Sequence, residues 1–312
     1  MSINPQEYRV ALLSGGTSGE REISIASGKG AKGALDEAGF KVECLDPANK
    51  EDLKRLIDEP FDVAFLTLHG KMGEDGTIQG FLELLGIPYT CSGVQASAVA
   101  MDKIKSKILY MSDGIPTAKF KQLIAGQELD YDALVEEIGI PCVVKAATEG
   151  SSLGVELVED AADLPEAIER VFAVDKLALM ESFIKGIEVT CAILGNKEPR
   201  ALPLIKIVPN LGESYDFESK YAPGGSDHIC PAPIDDDITE KIQAYAIAAH
   251  KVLGCRGVSR SDFIIDDDGV PWILETNTIP GMTATSLLPD AARVDGMSFP
   301  ELCIKLIEFA LE

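Results

Sequence analysis

Residues Val258 to Thr285 read V-S-R-S-D-F-I-I-D-D-D-G-V-P-W-I-L-E-T-N-T-I-P-G-M-T-A-T. An apolar run, Phe263–Ile265, leads into Asp266-Asp267-Asp268-Gly269, and a second, Val270–Leu274, leads out. An Asp-Gly step between two such runs predicts a β-hairpin. Arg260 and Asp262 then share one face of the incoming strand, and Glu275 and Asn277 one face of the outgoing strand. Closing the hairpin brings Asp262, Glu275 and Asn277 together with Arg260 beside them. Two carboxylates and a carboxamide are hard oxygen donors, suited to Mg²⁺ held together with substrate phosphates. A polar strand face in water would use the same residue types. Three potential ligands and an arginine on one hairpin, followed by a turn at Pro280-Gly281, favour the site.

The 312 residues exceed one ordinary core and predict two or three subdomains. At 46% hydrophobic and 25% charged, the composition is that of a soluble globular protein. The balance of 28 basic against 51 acidic residues, a formal charge of −23, argues against nucleic acid or anionic membrane as a partner. It leaves room for ATP, whose site needs only a few placed cations. Seven scattered cysteines without a C-x-x-C pair fit a reducing compartment better than a disulfide frame or zinc site. The start, M-S-I-N-P-Q-E-Y-R, lacks signal-peptide character, and no apolar run reaches the ~20 residues of a membrane span. A cytoplasmic protein is expected.

From the amino terminus, strands are predicted at Arg9–Ser14, Lys41–Leu45 and Val63–Leu68, with helices up to Ala38, at Asp52–Ile57 and at Thr77–Leu85. Such alternation implies a parallel sheet, with ligands beyond the carboxyl ends of its strands. Gly16 to Glu20 and His69 to Gly76 lie at such ends. The first loop does not fit G-x-G-x-x-G; Glu20 there could anchor a ligand ammonium or serve only the helix dipole. One helix is expected over Ala96–Tyr110, with a boundary near Met101. Lys103 could reach a phosphate, although Lys105 and Lys107 make a solvated basic face the simpler reading of the spacing.

Cys142–Lys145 and Val155–Val158 predict a hairpin around E-G-S-S-L-G, whose small tip could bring N–H groups onto phosphate oxygens. Lys145, just before the tip, could pair with those phosphates or protect a sheet edge. A helix at Leu164–Phe172 and a strand at Ala178–Ile184 follow. Glu181 and Glu188 flank the bend at Lys185-Gly186, as nucleotide contacts or as exposed acids. Strands are expected at Thr190–Leu194 and Ala201–Ile207, then a long irregular segment, Pro209–Pro233, whose aromatics and glycines suggest a lid. An amphipathic helix, Ile234–Leu253, precedes the opening hairpin, and a last helix presents Phe299, Leu302, Leu306 and Phe309 on one face. The predicted units are residues 1–101, 102–187 and 188–312.

G-G-T-S-G-E-R-E-I-S, L-H-G-x-x-G-E-D-G, M-D-K-x-x-S-K, E-G-S-S-x-G, Y-D-x-E-x-K-Y, R-x-D and L-E-x-N-T-x-P-G-M-T occur in that order from Gly15 to Thr283. Together they resemble the D-alanine–D-alanine ligases of the ATP-grasp superfamily, across essentially the whole chain. The resemblance implies an α/β protein of ATP-grasp fold: a Rossmann-like parallel-sheet domain and two α+β domains clasping ATP. It implies a homodimeric bacterial enzyme that joins two D-alanines through an acylphosphate, for the cell-wall precursor. It also implies two Mg²⁺, with Mn²⁺ as a substitute and K⁺ as a further candidate.

Carried over by motif, Glu20 would hold the ammonium of the first D-alanine and His69 would sit near its carboxylate. Ser151 would link Glu20 to Tyr221 in the lid. Lys103, Lys145 and Lys220 would contact ATP phosphates. Glu181, with the backbone of Phe183 and Ile184, would read the adenine, and Glu188 the ribose. Asp262, Glu275 and Asn277 would bind metal. Arg260 and the Gly281 N–H would stabilise the tetrahedral oxyanion, and Ser286 and Leu287 would receive the second carboxylate at a helix start. Relatives making D-alanyl-D-lactate usually lack the tyrosine found at Tyr221, so the dipeptide is the expected product. The alternatives are a ligase taking D-lactate, D-serine or another amino acid second, and a catalytically silent nucleotide-binding protein. The second of these predicts a lost metal ligand or phosphate lysine, and none is missing.

Overall fold

The computed structural model describes residues 3–150, 154–210, 225–283 and 285–312. The first unit alternates β1 (Arg9–Leu13), α1 (Arg21–Ala38), β2 (Lys41–Leu45), α2 (Lys50–Asp58), β3 (Val63–Leu66) and α3 (Thr77–Leu85). Its strands pair in parallel in the order β2-β1-β3. β1 and β3 are buried almost throughout, as expected when helices cover both faces of a parallel sheet. Gly39 ends α1 at φ 95°, a left-handed position that favours glycine.

The single helix expected over Ala96–Tyr110 is two: α4 (Val94–Met101) and α5 (Lys103–Ser112). Asp102 breaks it, because its extended backbone frees the carboxylate to accept from the Ile104 and Lys105 N–H groups as the N-cap of α5. Next come β4 (Phe120–Ile124), α6 (Tyr131–Ile138), β5 (Cys142–Ala146), β6 (Val155–Val158), α7 (Leu164–Phe172) and β7 (Leu177–Ser182). They build an antiparallel sheet, β4-β7-β5-β6, packed on α6 and α7. β5 is therefore internal, and Lys145 does not guard a sheet edge.

The last sheet contains β8 (Gly186–Leu194), β9 (Arg200–Ala201), β10 (Ile205–Pro209), β11 (Ser226–Ile229), β12 (Val258–Asp266) and β13 (Pro271–Asn277). Its order is β11-β10-β8-β12-β13, with β9 on β8, and α8 (Asp236–Val252) covers one face. Two expectations change here. The strand expected at Ala201–Ile207 is interrupted at Leu202–Leu204, and the segment expected to be irregular over Pro209–Pro233 contains β11, paired to β10. The chain closes with α9 (Leu287–Val294) and α10 (Phe299–Ala310), the latter started by a capping box between Ser298 and Glu301. One apolar cluster runs from the parallel sheet into α9 and α10, including Leu12, Phe65, Leu288 and Leu306. The two ends of the chain thus share a core, and their loops meet over one cleft.

Candidate active site

β12 and β13 form the predicted hairpin. Gly269, at φ 75°, closes the turn by donating to the Asp266 carbonyl, while the Asp266 carboxylate accepts from the Asp268 and Val270 N–H groups. Arg260 lies opposite Asn277, and Asp262 opposite Glu275. A bulge follows at once: Phe263 pairs with Ile273, leaving Leu274 as the extra residue. That bulge turns Ile273 into the core beside Phe263, both fully buried, while Glu275 and Asn277 stay on the polar face. Strand alternation places Glu188 and Thr190 of β8 on the same face, opposite Ile264 and Asp262.

A cleft of about 450 Å³ opens over this face. Lys103, Arg260, Glu275 and Asn277 line one side; Glu20 and His69 line another; Gly281, Ser286 and Leu287 line a third. Asp262 is held behind them. It accepts both Nε (2.9 Å) and Nη2 (2.8 Å) of Arg260, and the Thr190 hydroxyl at 2.6 Å. Asn277 Nδ2 lies 3.3 Å from Asp262 Oδ2, and Lys103 Nζ lies 3.5 Å from Glu275 Oε2. Each carboxylate is therefore faced by a cationic side chain. Among the described residues no three His, Cys, Asp or Glu side chains gather as a metal cage. Two carboxylates and a carboxamide fit a cation that takes its remaining ligands from phosphate and water, as Mg²⁺ does.

Glu20 occupies the N-cap position of α1 but caps none of its N–H groups. Its carboxylate packs instead against two glycines: a Cβ at Gly70 or Gly150 would come within 2.6 or 2.5 Å of Oε2. His69 is buried and bonded to the Ser27 hydroxyl at 3.1 Å. Burial, and then the charge of Arg260, lowers its pKa to about 4, so the ring is neutral at pH 7. Ser27 also accepts the Met282 N–H at 3.3 Å, tying α1 to the turn that carries Gly281. Ser286 is the N-cap of α9, and its hydroxyl meets Thr283 Oγ1 at 2.7 Å.

Lys103 donates to the Glu149 carbonyl at 2.7 Å, and Lys71 pairs with the Glu149 carboxylate at the cleft rim. The expected solvated basic face does not form. Lys107 is fully buried and paired with Glu181; Lys145, its side chain 11% exposed, pairs with the same carboxylate. These three lie apart from the residues lining the cleft. Phe183 is exposed, and its N–H donates to the Pro141 carbonyl. Ser151, Lys220 and Tyr221 lie outside the described residues.

Four residues near the site were not singled out from sequence: Ser27, Glu74, Thr190 and His228. Glu74, Ser27 and His228 line the cleft, and Thr190 reaches it through register with Asp262. Glu74 could have been noticed in the G-E-D-G loop; the others depend on tertiary contacts alone. The Glu74 carboxylate accepts the Gly70 N–H at 2.8 Å. Burial, and then the charge of Glu20, raises its pKa to about 8. An unfolded chain would release this proton near the ordinary carboxylate value, whereas the folded protein keeps it to about pH 8. Folding stability at this site is accordingly lost as pH rises between those values. Glu74→Gln, neutral throughout, is expected to melt above the parent at pH 8 and level with it at pH 5. An unchanged pH slope of melting would contradict the shift.

Residues 46–92 match the pattern described as "D-ala D-ala ligase N-terminus", and residues 109–308 match "D-ala D-ala ligase C-terminus". The chain belongs to the D-alanine–D-alanine ligase family. A D-alanine–D-alanine ligase of Syntrophobacter fumaroxidans is 50% identical, with 99% of this chain and all of that protein aligned. One from Pelotomaculum thermopropionicum is 47% identical over 97% of each chain. Among solved structures, the D-alanine–D-alanine ligase of Bacillus anthracis superposes with a TM-score of 0.86 at 36% identity. Its complex with ATP gives 0.85 at 34%, and each comparison covers 97% of both chains. The ligase fold is thus the ATP-grasp fold, as the motif order implied.

Proposed function

We propose that this chain joins two D-alanine molecules into D-alanyl-D-alanine, with ATP converted to ADP and phosphate, to supply a peptidoglycan precursor. The observation that carries the proposal is the single cleft in which Glu20, Arg260, Glu275, Gly281 and Ser286 converge. Glu20 would anchor the ammonium of the first substrate, with neutral His69 near its carboxylate. One carboxylate oxygen attacks the γ-phosphorus of ATP; the new O–P bond forms as the bond to ADP breaks. Lys103 and Lys145, with Lys220 from the lid, would orient the phosphates, while Glu181, Phe183, Ile184 and Glu188 would receive adenine and ribose. Asp262, Glu275 and Asn277 would hold two Mg²⁺, or Mn²⁺, which when bound supply neutralisation of phosphate charge.

The second D-alanine is held by its carboxylate at Ser286 and the N-terminus of α9. Its amine attacks the acyl carbon, the former carboxylate oxygen gains charge against Arg260 and the Gly281 N–H, and phosphate leaves. Ser151 and Tyr221 would close the site and keep water from the acylphosphate. The units 1–101, 102–187 and 188–312, a homodimeric assembly, a cytoplasmic location and a K⁺ requirement belong to the same proposal. Among the described residues no helix is long and apolar enough to cross a membrane.

A phosphate-release assay across a substrate panel tests the reading. Release is expected to require D-alanine and Mg²⁺ and to yield the dipeptide. Equal turnover with L-alanine, or ester formation with D-lactate at neutral pH, would replace it with another ligase of the family.

A further inference from the structure

Glu181 is held by two lysines, where charge neutralisation needs one. Lys107 Nζ lies 2.7 Å from Oε2 and donates to the Thr117 hydroxyl at 2.6 Å; Lys145 Nζ lies 2.5 Å from Oε1. Lys107 is sealed, with its side chain 0% exposed and the Phe120 ring 5.6 Å away, whereas Lys145 retains 11% exposure. A fully buried ammonium is rare because its desolvation is costly. Burial would raise the Glu181 carboxyl, but Lys107, then Lys145, outweighs it and keeps Glu181 ionised. Oε2 is sealed beside Lys107, whereas Oε1 faces the partly exposed Lys145. Departure of Lys145 would therefore free Oε1 for another donor while Oε2 keeps its counter-ion.

The two lysines differ in what they can do next. Lys145 lies in β5, one residue from its end, and is the one of the two proposed to orient the phosphates. Lys107 is committed to Thr117, whose hydroxyl in turn donates to the Ile273 carbonyl of the metal-site hairpin. We propose that Lys107 is the resident counter-ion of Glu181, holding it charged and oriented while Lys145 leaves Glu181 for the phosphates of an incoming ATP. Lys107 is then a positioning residue for base recognition: it acts through Glu181, whose Oε1, vacated by Lys145, receives the adenine amino group. The inference rests on the proposed assignments of Glu181 and Lys145.

The test is binding of a non-hydrolysable ATP analogue to the full chain by calorimetry, with melting and steady-state kinetics on the same samples. Lys107→Met is expected to weaken analogue binding and raise KM for ATP at least tenfold. In that variant, Lys145 cannot leave without stranding a buried charge. The nucleotide-free melting temperature should change little, because Lys145 still pairs with Glu181, and kcat at saturating ATP should stay within about threefold. The double variant Lys107→Met/Glu181→Gln, with no charge to strand and a carbonyl oxygen still able to accept from the adenine amino group, should recover part of the lost affinity. A K107M protein with unchanged affinity and a lowered melting point would overturn the proposal, as would failure of E181Q to rescue.

Should K107M not fold, the electrically balanced double variant still decides. Freed from Glu181, Lys145 should bind inorganic tripolyphosphate severalfold more tightly than in the parent, and equal affinity would overturn the exchange. A parent protein without D-alanine-dependent ATP turnover would fail the functional reading instead, whatever Lys107 does.

Discussion

Replacing Glu275 by glutamine is expected to lower kcat by about a thousandfold while the protein still folds. The substitution keeps size and hydrogen-bonding capacity and removes one charge from the strand position opposite Asp262. Glu275 faces the cleft with its side chain 28% exposed, and Lys103, its partner at 3.5 Å, keeps its bond to the Glu149 carbonyl, so the melting temperature should move little. The loss falls on phosphoryl transfer, where charge on the triphosphate must be neutralised before a carboxylate can approach it. Mg²⁺ titrations should show half-maximal activity displaced to higher concentration. Turnover within tenfold of the parent, with unchanged Mg²⁺ dependence, would remove Glu275 from the metal site.

Arg260→Lys should cost a hundredfold or more in dipeptide formation, and the deficit should fall on the second chemical step. The guanidinium grips Asp262 through Nε and Nη2, which fixes its plane beside the cleft. A lysine supplies a point charge without that fork and cannot be held in the same orientation. The first step does not build charge on the acyl oxygen, so acylphosphate would still form and then meet water. Phosphate released per dipeptide should accordingly rise above one. A ratio that stays at one while both rates fall together would place Arg260 in the first step or in binding.

The hairpin was legible because the pleat and an Asp-Gly turn act locally, and residues two apart share a face; the bulge at Leu274, which brings Glu275 rather than Leu274 opposite Asp262, was not. The parallel sheet was legible for a similar reason, since its strands are continuous apolar runs between helical stretches. Seven ordered motifs then supplied the family, which no periodicity could have done. What stayed hidden depends on distant partners. Lys107 reads as solvated on its own helix, and only Glu181, on another element, explains its burial. Ser27 looks like one more small helix residue until Met282 is packed against it. β11, a four-residue polar strand, exists because β10 offers it an edge. The break at Asp102 was within reach, since an aspartate before K-x-x-S is a helix-start signal, but the apolar pattern ran through it unbroken.

A carboxylate oxygen of the first D-alanine is expected to bond to the γ-phosphorus of ATP before the peptide forms. D-alanine labelled with ¹⁸O in both carboxylate oxygens tests it directly. One labelled oxygen per turnover is expected in the released phosphate and one in the new amide carbonyl. Unlabelled phosphate, with dipeptide still produced, would contradict the acylphosphate route.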